Sequence, residues 1–492
     1  MAKAKKHQQA KVSKEAFDAL ELGLHADLLA VQRKLMAADF PVILIVSGVE
    51  AAGKSAVVNR LNKWLDARGV SVSAFWDESD EERERPAYWR FWRAMPGKAR
   101  IGVFFGSWYT IPIIRSASGK LGKQSFSAEL AKINDFEHML ANDGALIVKF
   151  WFHISKQEQA SRIKRKAKKG YRITPWEKKL SKLYDPFEAV TNKALRTTDT
   201  VQNPWHIVDA TDRRHRDLTV GRILLESLTK RLGKKKAPAL KKRKTAHPAA
   251  SSSYRDHLAS CDLSQSLTEA QYDKRLKNYQ ARLAELHWAA WDKKRSTVLI
   301  FEGSDAGGKG GAIRRLTAAM DARLCHVIPI AAPTDEERAQ HYLWRFWRHI
   351  PRAGYVTMYD RSWYGRVLVE RVEKFAQVHE WQRAFGEINA FEEQLADSGI
   401  VVAKFWLSIS PDEQLRRFEE RGRLAHKKHK ITEEDWRNRE KRDDYNEAVN
   451  EMIERSSTPY APWFIIPGND KKFARVEILK TVCRQLEKAL KR

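Results

Sequence analysis

Two stretches of this chain have the residue types and spacing of a phosphate cradle. Gly48-Val-Glu-Ala-Ala-Gly53-Lys54-Ser55 matches GxxxxGK[ST], and Gly303-Ser-Asp-Ala-Gly-Gly308-Lys309-Gly310 matches all but its last position. Glycines at these intervals let successive backbone N–H groups turn inward on an anion. A helix opening behind them adds partial positive charge, and the lysine reaches the phosphates. Phosphoryl chemistry also calls for a divalent cation, and Mg²⁺ takes hard oxygen ligands. The second stretch offers Asp305 within the loop and Asp360 after the apolar run Tyr355–Tyr359. Arg361 follows at once, and its fork of donors suits phosphoryl oxygens. The first stretch has Glu50, Phe105 and Gly106 at those places. The better match to the pattern therefore lies in the half without the acid and the arginine. Residues 255–492 are expected to catalyse, and residues 15–230 to be a degenerate structural or regulatory copy.

The elements that must hold these groups are themselves duplicated. Leu44–Asp66 and Leu299–Asp321 agree at 9 of 23 positions at an offset of 255. The same offset aligns Trp89-Arg-Phe-Trp-Arg93 with Trp344-Arg-Phe-Trp-Arg348, Ser107-Trp-Tyr109 with Ser362-Trp-Tyr364, Phe136-Glu137 with Phe391-Glu392, and Lys149-Phe-Trp151 with Lys404-Phe-Trp406. Later the offset becomes 258, where Pro204-Trp205 meets Pro462-Trp463. This is a tandem repeat of two domains. In the second copy, β-rich runs at Thr297–Phe301, Cys325–Ile330, Tyr355–Tyr359, Ile400–Leu407 and Trp463–Ile466 alternate with helical patterns such as Leu267–Trp291 and Arg371–Leu395. That order predicts βαβ units: an α/β fold with a parallel sheet covered by helices on both faces, three layers in each repeat.

Between the repeats, Lys230–Lys244 holds nine basic residues and no acid, and His247–Ser253 follows. With no apolar face to bury, residues 231–254 read as a basic flexible linker; a nucleic-acid-binding tail is the sharper alternative. The whole chain of 492 residues carries 90 Lys and Arg against 62 Asp and Glu, a net charge of +28, which implies an anionic partner. No apolar run is long enough for a membrane-spanning helix, no secretory leader is visible, and the three cysteines are scattered. A cytoplasmic protein without disulfides or a membrane partner is expected.

Arg416–Arg442 carries eleven Lys and Arg and two histidines. A basic segment at this point of a phosphate-loop kinase closes over the phosphates, while a solvated helix face is the plainer reading. Arg416, Arg417, Arg421, Lys427 and Lys428 are its collective candidates. The tryptophans of Trp344–Arg348 share a helix face and are expected in the core; stacking on a base is the alternative. Arg345 and Arg348 are the candidate ligand contacts there. A homo-oligomer, dimer or higher, is expected.

Gly303–Gly310, Leu343–Arg348, Tyr359–Arg371 (YDRSWYGRVLVER), Ile388–Glu392 and Tyr460–Trp463 together resemble the signatures of the polyphosphate kinase 2 family. The resemblance covers both halves and is strongest in the second. It implies two tandem domains of the phosphate-loop kinase type, related to thymidylate kinase, each with a parallel central sheet and a helical lid. It also implies inorganic polyphosphate and AMP/ADP as partners, with the terminal phosphoryl passed directly to AMP. In this picture Asp305 and Asp360 hold Mg²⁺, and Lys309 and Arg361 neutralise the transferring group. Gly303, Gly308 and Gly310 with Arg345, Arg366 and the basic lid bind phosphates. Other readings of the same residues are phosphorylation of ADP, GDP or another nucleotide, an ATP-dependent nucleoside monophosphate kinase, and a nucleic-acid-binding ATPase. The last is disfavoured because no helicase, RRM or helix-turn-helix pattern accompanies the charge.

Overall fold

Strongly apolar, β-branched runs that end in glycine turns become the central strands of two parallel sheets. The computed structural model describes residues 11–233, 254–423 and 433–491. In the first repeat the strands are β1 (Val42–Gly48), β2 (Val70–Ala74), β3 (Ile101–Phe105), β4 (Leu146–His153) and β5 (Trp205–Asp209). In the second they are β6 (Thr297–Gly303), β7 (Cys325–Pro329), β8 (Val356–Asp360), β9 (Val401–Ser408) and β10 (Trp463–Pro467). The sheet orders are β2-β3-β1-β4-β5 and β10-β9-β6-β8-β7, the same topology twice. Every pairing is parallel, and Val46 faces Phe105 as Phe301 faces Asp360. The glycine-loop strands β1 and β6 are central and buried almost throughout, whereas β2 and β7 lie at edges and are half exposed. By contacts, one compact unit comprises Met1–Glu78, Phe91–Lys244 and Arg338–His341, and the other Ser79–Arg90, Thr245–Glu337 and Tyr342–Arg492.

Side chains alternate across each sheet and feed two helical layers. In the second unit Leu299, Phe301, Met358 and Phe405 pack under the helices Glu269–Asp292, Lys309–Thr317 and Lys471–Leu490. The opposite face carries an aromatic cluster in which Trp347 and Trp363 each meet Phe391 edge-on, with centroids 4.8 Å apart. All four tryptophans of the two Trp-Arg-Phe-Trp segments are buried, so core packing is their role. The helix expected from Arg371 starts later, at Val378. Lys374 takes a positive φ of 60°, and Gln377 with Glu380 forms a capping box that sets the true start.

The motifs that repeat most faithfully build one buried ionic network in each unit. In the second, the Lys404 ammonium donates to Glu392 Oε2 at 2.6 Å, to Tyr364 Oη at 2.7 Å and to the Ser456 carbonyl at 2.7 Å. Glu392 Oε1 accepts from Trp363 Nε1 at 3.0 Å and from the Tyr364 hydroxyl at 2.8 Å. Lys149, Glu137, Tyr109, Trp108 and Thr198 repeat the arrangement in the first unit. Burial pushes the ammonium of Lys404, and that of Lys149, below the usual lysine range. Each charge persists because every donor is matched. The basic linker, apart from residues 231–233 and Tyr254, lies outside the described residues. Among the described residues no helix is long and apolar enough to cross a membrane.

Candidate phosphoryl-transfer site

Glycine is required at the two ends of the second loop. Gly303 has φ +143°, and a Cβ there would lie 2.5 Å from the Leu407 carbonyl oxygen; Gly308, at φ +108°, caps the helix Lys309–Thr317. The loop is held from behind by Arg417. Its Nη1 donates to the carbonyls of Ala306 (2.9 Å) and Gly307 (3.2 Å), its Nη2 to those of Gly468 (2.6 Å) and Asn469 (2.8 Å), and its Nε to Glu413 (2.5 Å). All five donors are committed and the side chain is buried, so in this structure Arg417 serves as a structural brace for the loop. Arg162 braces the first loop in the same way, through Ala51, Ala210, Thr211 and Glu158.

The polar groups of the second site converge on a cavity of about 110 Å³ lined by Glu302, Asp305, Lys309, Arg361, Asn438 and Arg442, among others. Lys309 Nζ donates to the Gly303 carbonyl at 2.7 Å. Asp305 Oδ1 accepts from Arg361 Nη2 at 3.3 Å, and its Oδ2 from Asn438 Nδ2 at 2.9 Å. Asp360 ends β8 opposite Phe301, and Arg361 follows in a left-handed turn with φ +65°. A non-glycine residue in that region stores strain. Glu302 is fully enclosed and accepts from the Ser362 hydroxyl at 2.8 Å. Burial pushes its carboxyl up; Ser362, Lys309 and Arg361 oppose that, while Asp360 adds to it. Glu302, Asp360, Lys309 and Arg361 thus share one electrostatic environment.

The remaining expected residues are dispersed. Space around Gly310 is open, so nothing steric forbids a hydroxyl-bearing residue there. Arg345 pairs with Glu337 at 3.3 Å and Arg366 with Glu370 at 3.2 Å; neither lines the loop cavity. Arg421 lines a second cavity of about 160 Å³ beside the loop, with Arg314, Lys471 and Arg475. Burial, then the neighbouring Arg417, pushes the Lys471 ammonium down. Lys427 and Lys428 lie outside the described residues. Two contributors were not foreseen. Glu302 was visible as an acid inside an apolar strand, whereas Asn438 is a neutral residue in a basic run and gave no signal.

The first unit keeps the loop, with its lysine engaged inside it. Lys54 spends its three donors on the carbonyls of Gly48 and Val49 and on Glu50 Oε2, at 3.1, 3.1 and 3.2 Å. Phe105 and Gly106 stand at the strand end, and Gly106 has φ +80°. For a metal, the second unit offers Asp305 and Asp360, and no cluster of three or more ligating side chains exists among the described residues. Two carboxylates suit Mg²⁺, which fills its shell with water and phosphate oxygens.

A central parallel strand, a glycine turn opening a helix, and an acid and arginine at the adjacent strand end define a phosphate-loop protein of the kinase type. The polyphosphate kinase 2 family model matches residues 11–236 and again 266–492. A polyphosphate:AMP phosphotransferase of Pseudomonas aeruginosa is 46% identical over 486 residues, covering 98% of each chain. Another of that name from Acinetobacter johnsonii is 37% identical over 452 residues, covering 91% of each. A crystal structure of polyphosphate kinase 2 from Pseudomonas aeruginosa superposes with a TM-score of 0.87 at 44% identity, covering 98% of each chain. The chain belongs to the polyphosphate kinase 2 family, with two family domains in tandem.

Proposed function

We propose that this chain transfers the terminal phosphoryl group of inorganic polyphosphate to AMP, and that residues 255–492 do the chemistry. An α-phosphate oxygen of AMP attacks the terminal phosphorus, and the bond to the bridging oxygen breaks. ADP and a polyphosphate shorter by one unit leave. The observation that carries the assignment to the second half is the convergence of Gly303, Asp305, Lys309 and Arg361 on one cavity, with Asp360 at the adjacent strand end just before Arg361. The shared name of the full-length relatives supports polyphosphate as donor and AMP as acceptor.

The loop amides and Lys309 cradle the donor phosphates, and Arg361 places its guanidinium against charge that builds up on the transferring group. Asp305 and Asp360 are the residues that would hold Mg²⁺, which supplies further charge neutralisation when bound. Asp305 has lone pairs to spare beyond its bonds to Arg361 and Asn438. Residues 15–230 are proposed as the non-catalytic copy, 231–254 as the linker, the cytoplasm as the location, and a homo-oligomer as the assembly. ADP formation from AMP, polyphosphate and Mg²⁺ tests the reading in three variants. Lys309→Ala and Asp360→Asn are expected to lose about a thousandfold or more in turnover, and Lys54→Ala to keep most of it. Comparable losses in all three overturn the division of roles.

A further inference from the structure

The second unit ties its phosphate loop to the neighbouring strand end through a carboxylate that the first unit lacks. Glu302 stands immediately before Gly303 on β6; it lines the loop cavity and is only 6% exposed. Among the described residues its one hydrogen bond is accepted from the Ser362 hydroxyl at 2.8 Å. Ser362 follows Arg361, and its Oγ in turn accepts from the Tyr364 amide at 3.2 Å, capping the short helix Trp363–Arg366. The Arg361 amide donates to the Phe301 carbonyl at 3.0 Å. Two successive residues of the loop strand, 301 and 302, thus hold two successive residues of the turn, 361 and 362. In the first unit the corresponding residues are Val46, Ser47, Gly106 and Ser107. There the backbone bond survives, from the Gly106 amide to the Val46 carbonyl at 3.4 Å, but no hydrogen bond joins Ser47 to Ser107 among the described residues. That turn is closed locally instead: the Ser107 amide donates to Thr110 Oγ1 at 3.0 Å, and Gly365 replaces Thr110 in the second repeat. The carboxylate tie is therefore found only in the unit whose turn carries an arginine, held at φ +65° where the first unit has glycine. An enclosed carboxyl with a single neutral donor destabilises a fold, and the first unit shows that a serine suffices for the scaffold.

We infer that Glu302 is a positioning residue for phosphoryl transfer: through Ser362 it fixes the turn at Arg361 against the loop, so that the guanidinium meets the phosphoryl group held by the loop and Lys309. The Arg361 side chain is 46% exposed and its pair with Asp305 spans 3.3 Å, so its own contacts place it only loosely. The backbone beneath it must supply the precision.

ADP formation from AMP, polyphosphate and Mg²⁺ is measured on variants of the full chain, with circular dichroism on the same preparations. Misplacement of a clamp by about 1 Å costs about a hundredfold in rate, so Glu302→Ala should lower kcat by about that factor. KM for AMP and for polyphosphate should stay within about threefold of the parent, because the guanidinium acts on the transition state. Ser362→Ala should fall as far, and the double variant no further. In an Arg361→Ala background Glu302→Ala should add less than about threefold, since no guanidinium is left to place. Glu302→Gln keeps an acceptor for Ser362 and should restore most of the turnover. Ser362→Ala removes a single hydroxyl and stands as the test even where Glu302→Ala does not fold; turnover there within about threefold of the parent overturns the inference. So does a further loss of about a hundredfold in the Arg361→Ala background, which marks a general loss of structure. A glutamine variant as slow as the alanine one overturns it too, because the charge itself is then in use. The inference rests on the function proposed above: a parent that makes no ADP overturns both, whereas an active parent with any of these results overturns this one alone.

Discussion

At Arg361, stability and chemistry pull in opposite directions. Its backbone sits at φ +65°, a conformation that costs a residue with a Cβ about 1 kcal/mol or more. The equivalent turn in the first unit is made by Gly106 at φ +80°, where no such cost arises. The two turns are otherwise alike. The Arg361 amide donates to the Phe301 carbonyl at 3.0 Å, and the Gly106 amide to the Val46 carbonyl at 3.4 Å. The ion pair of Arg361 with Asp305 does little to offset the strain: it spans 3.3 Å and the arginine side chain is 46% exposed. A pair so open to solvent is worth under about 1 kcal/mol. Arg361→Ala therefore keeps the strain, whereas Arg361→Gly releases it. After allowing for the extra freedom of glycine in the unfolded chain, the glycine variant should exceed the alanine variant by about 1 kcal/mol. For a unit of this size that is roughly 2–4 °C in Tm. Both variants lose the guanidinium, and turnover should fall about a thousandfold, equivalent to about 4 kcal/mol of barrier. Thermal unfolding and ADP formation are measured on the same preparations. An alanine variant as stable as the glycine variant would refute the strain; turnover within tenfold of the parent in either would refute the clamp.

Three further outcomes follow from the contacts. Lys404→Met leaves Glu392 buried without its cation and should cost about 3–5 kcal/mol, seen as a lower denaturation midpoint, while Lys404→Met with Glu392→Leu should recover much of it. Arg417→Lys replaces five donors by three, so at least two of its five acceptors lose partners. Stability should drop by about 2 kcal/mol or more, with turnover falling as the loop loosens. Arg416, with help from Arg417, holds the Glu413 carboxyl below its ordinary value of 4.5. A carboxyl lowered by folding contributes fully above its unfolded value and loses that contribution as pH falls through the folded one. The Tm gap between the parent and Glu413→Gln should thus be widest near neutrality and close on acidification below about 4.5; a gap that widens in acid would contradict the pairing.

Strands and loops were legible because their causes are local. Thr297–Gly303 announces itself by a run of apolar, β-branched residues ending in a glycine, and each expected strand of the second copy lies within two residues of the observed one. The positions of Asp305 and Lys309 on the loop, and of Asp360 and Arg361 at the strand end, were legible because loop and strand end are read directly from spacing. What stayed hidden depends on partners far along the chain. Lys404 looks like any charge in a strand until Glu392 and Ser456 close around it. Arg417 reads as one cation among eleven, yet its fork ties Ala306 to Gly468, positions brought together only by the sheet. The delayed start of the helix at Val378 follows from a backbone turn at Lys374 that helical periodicity does not report.

The two copies also separate what folding needs from what chemistry needs, inside one chain. The Lys–Glu–Tyr–Trp network is reproduced in both units, although only the second has an acid and an arginine at the strand end beside its loop, so that network belongs to the scaffold. Charge at the strand end beside the loop differs between them, and the proposed function rests on that difference. The pattern GxxxxGK[ST] is complete in the first unit, whose lysine pairs with Glu50, and incomplete in the second, whose lysine bonds the Gly303 carbonyl; each lysine lines its own loop cavity. A phosphate loop is a shape that glycine provides. On the proposed division of roles, whether it handles phosphate is decided by the groups at the adjacent strand end, here Asp360 and Arg361 against Phe105 and Gly106.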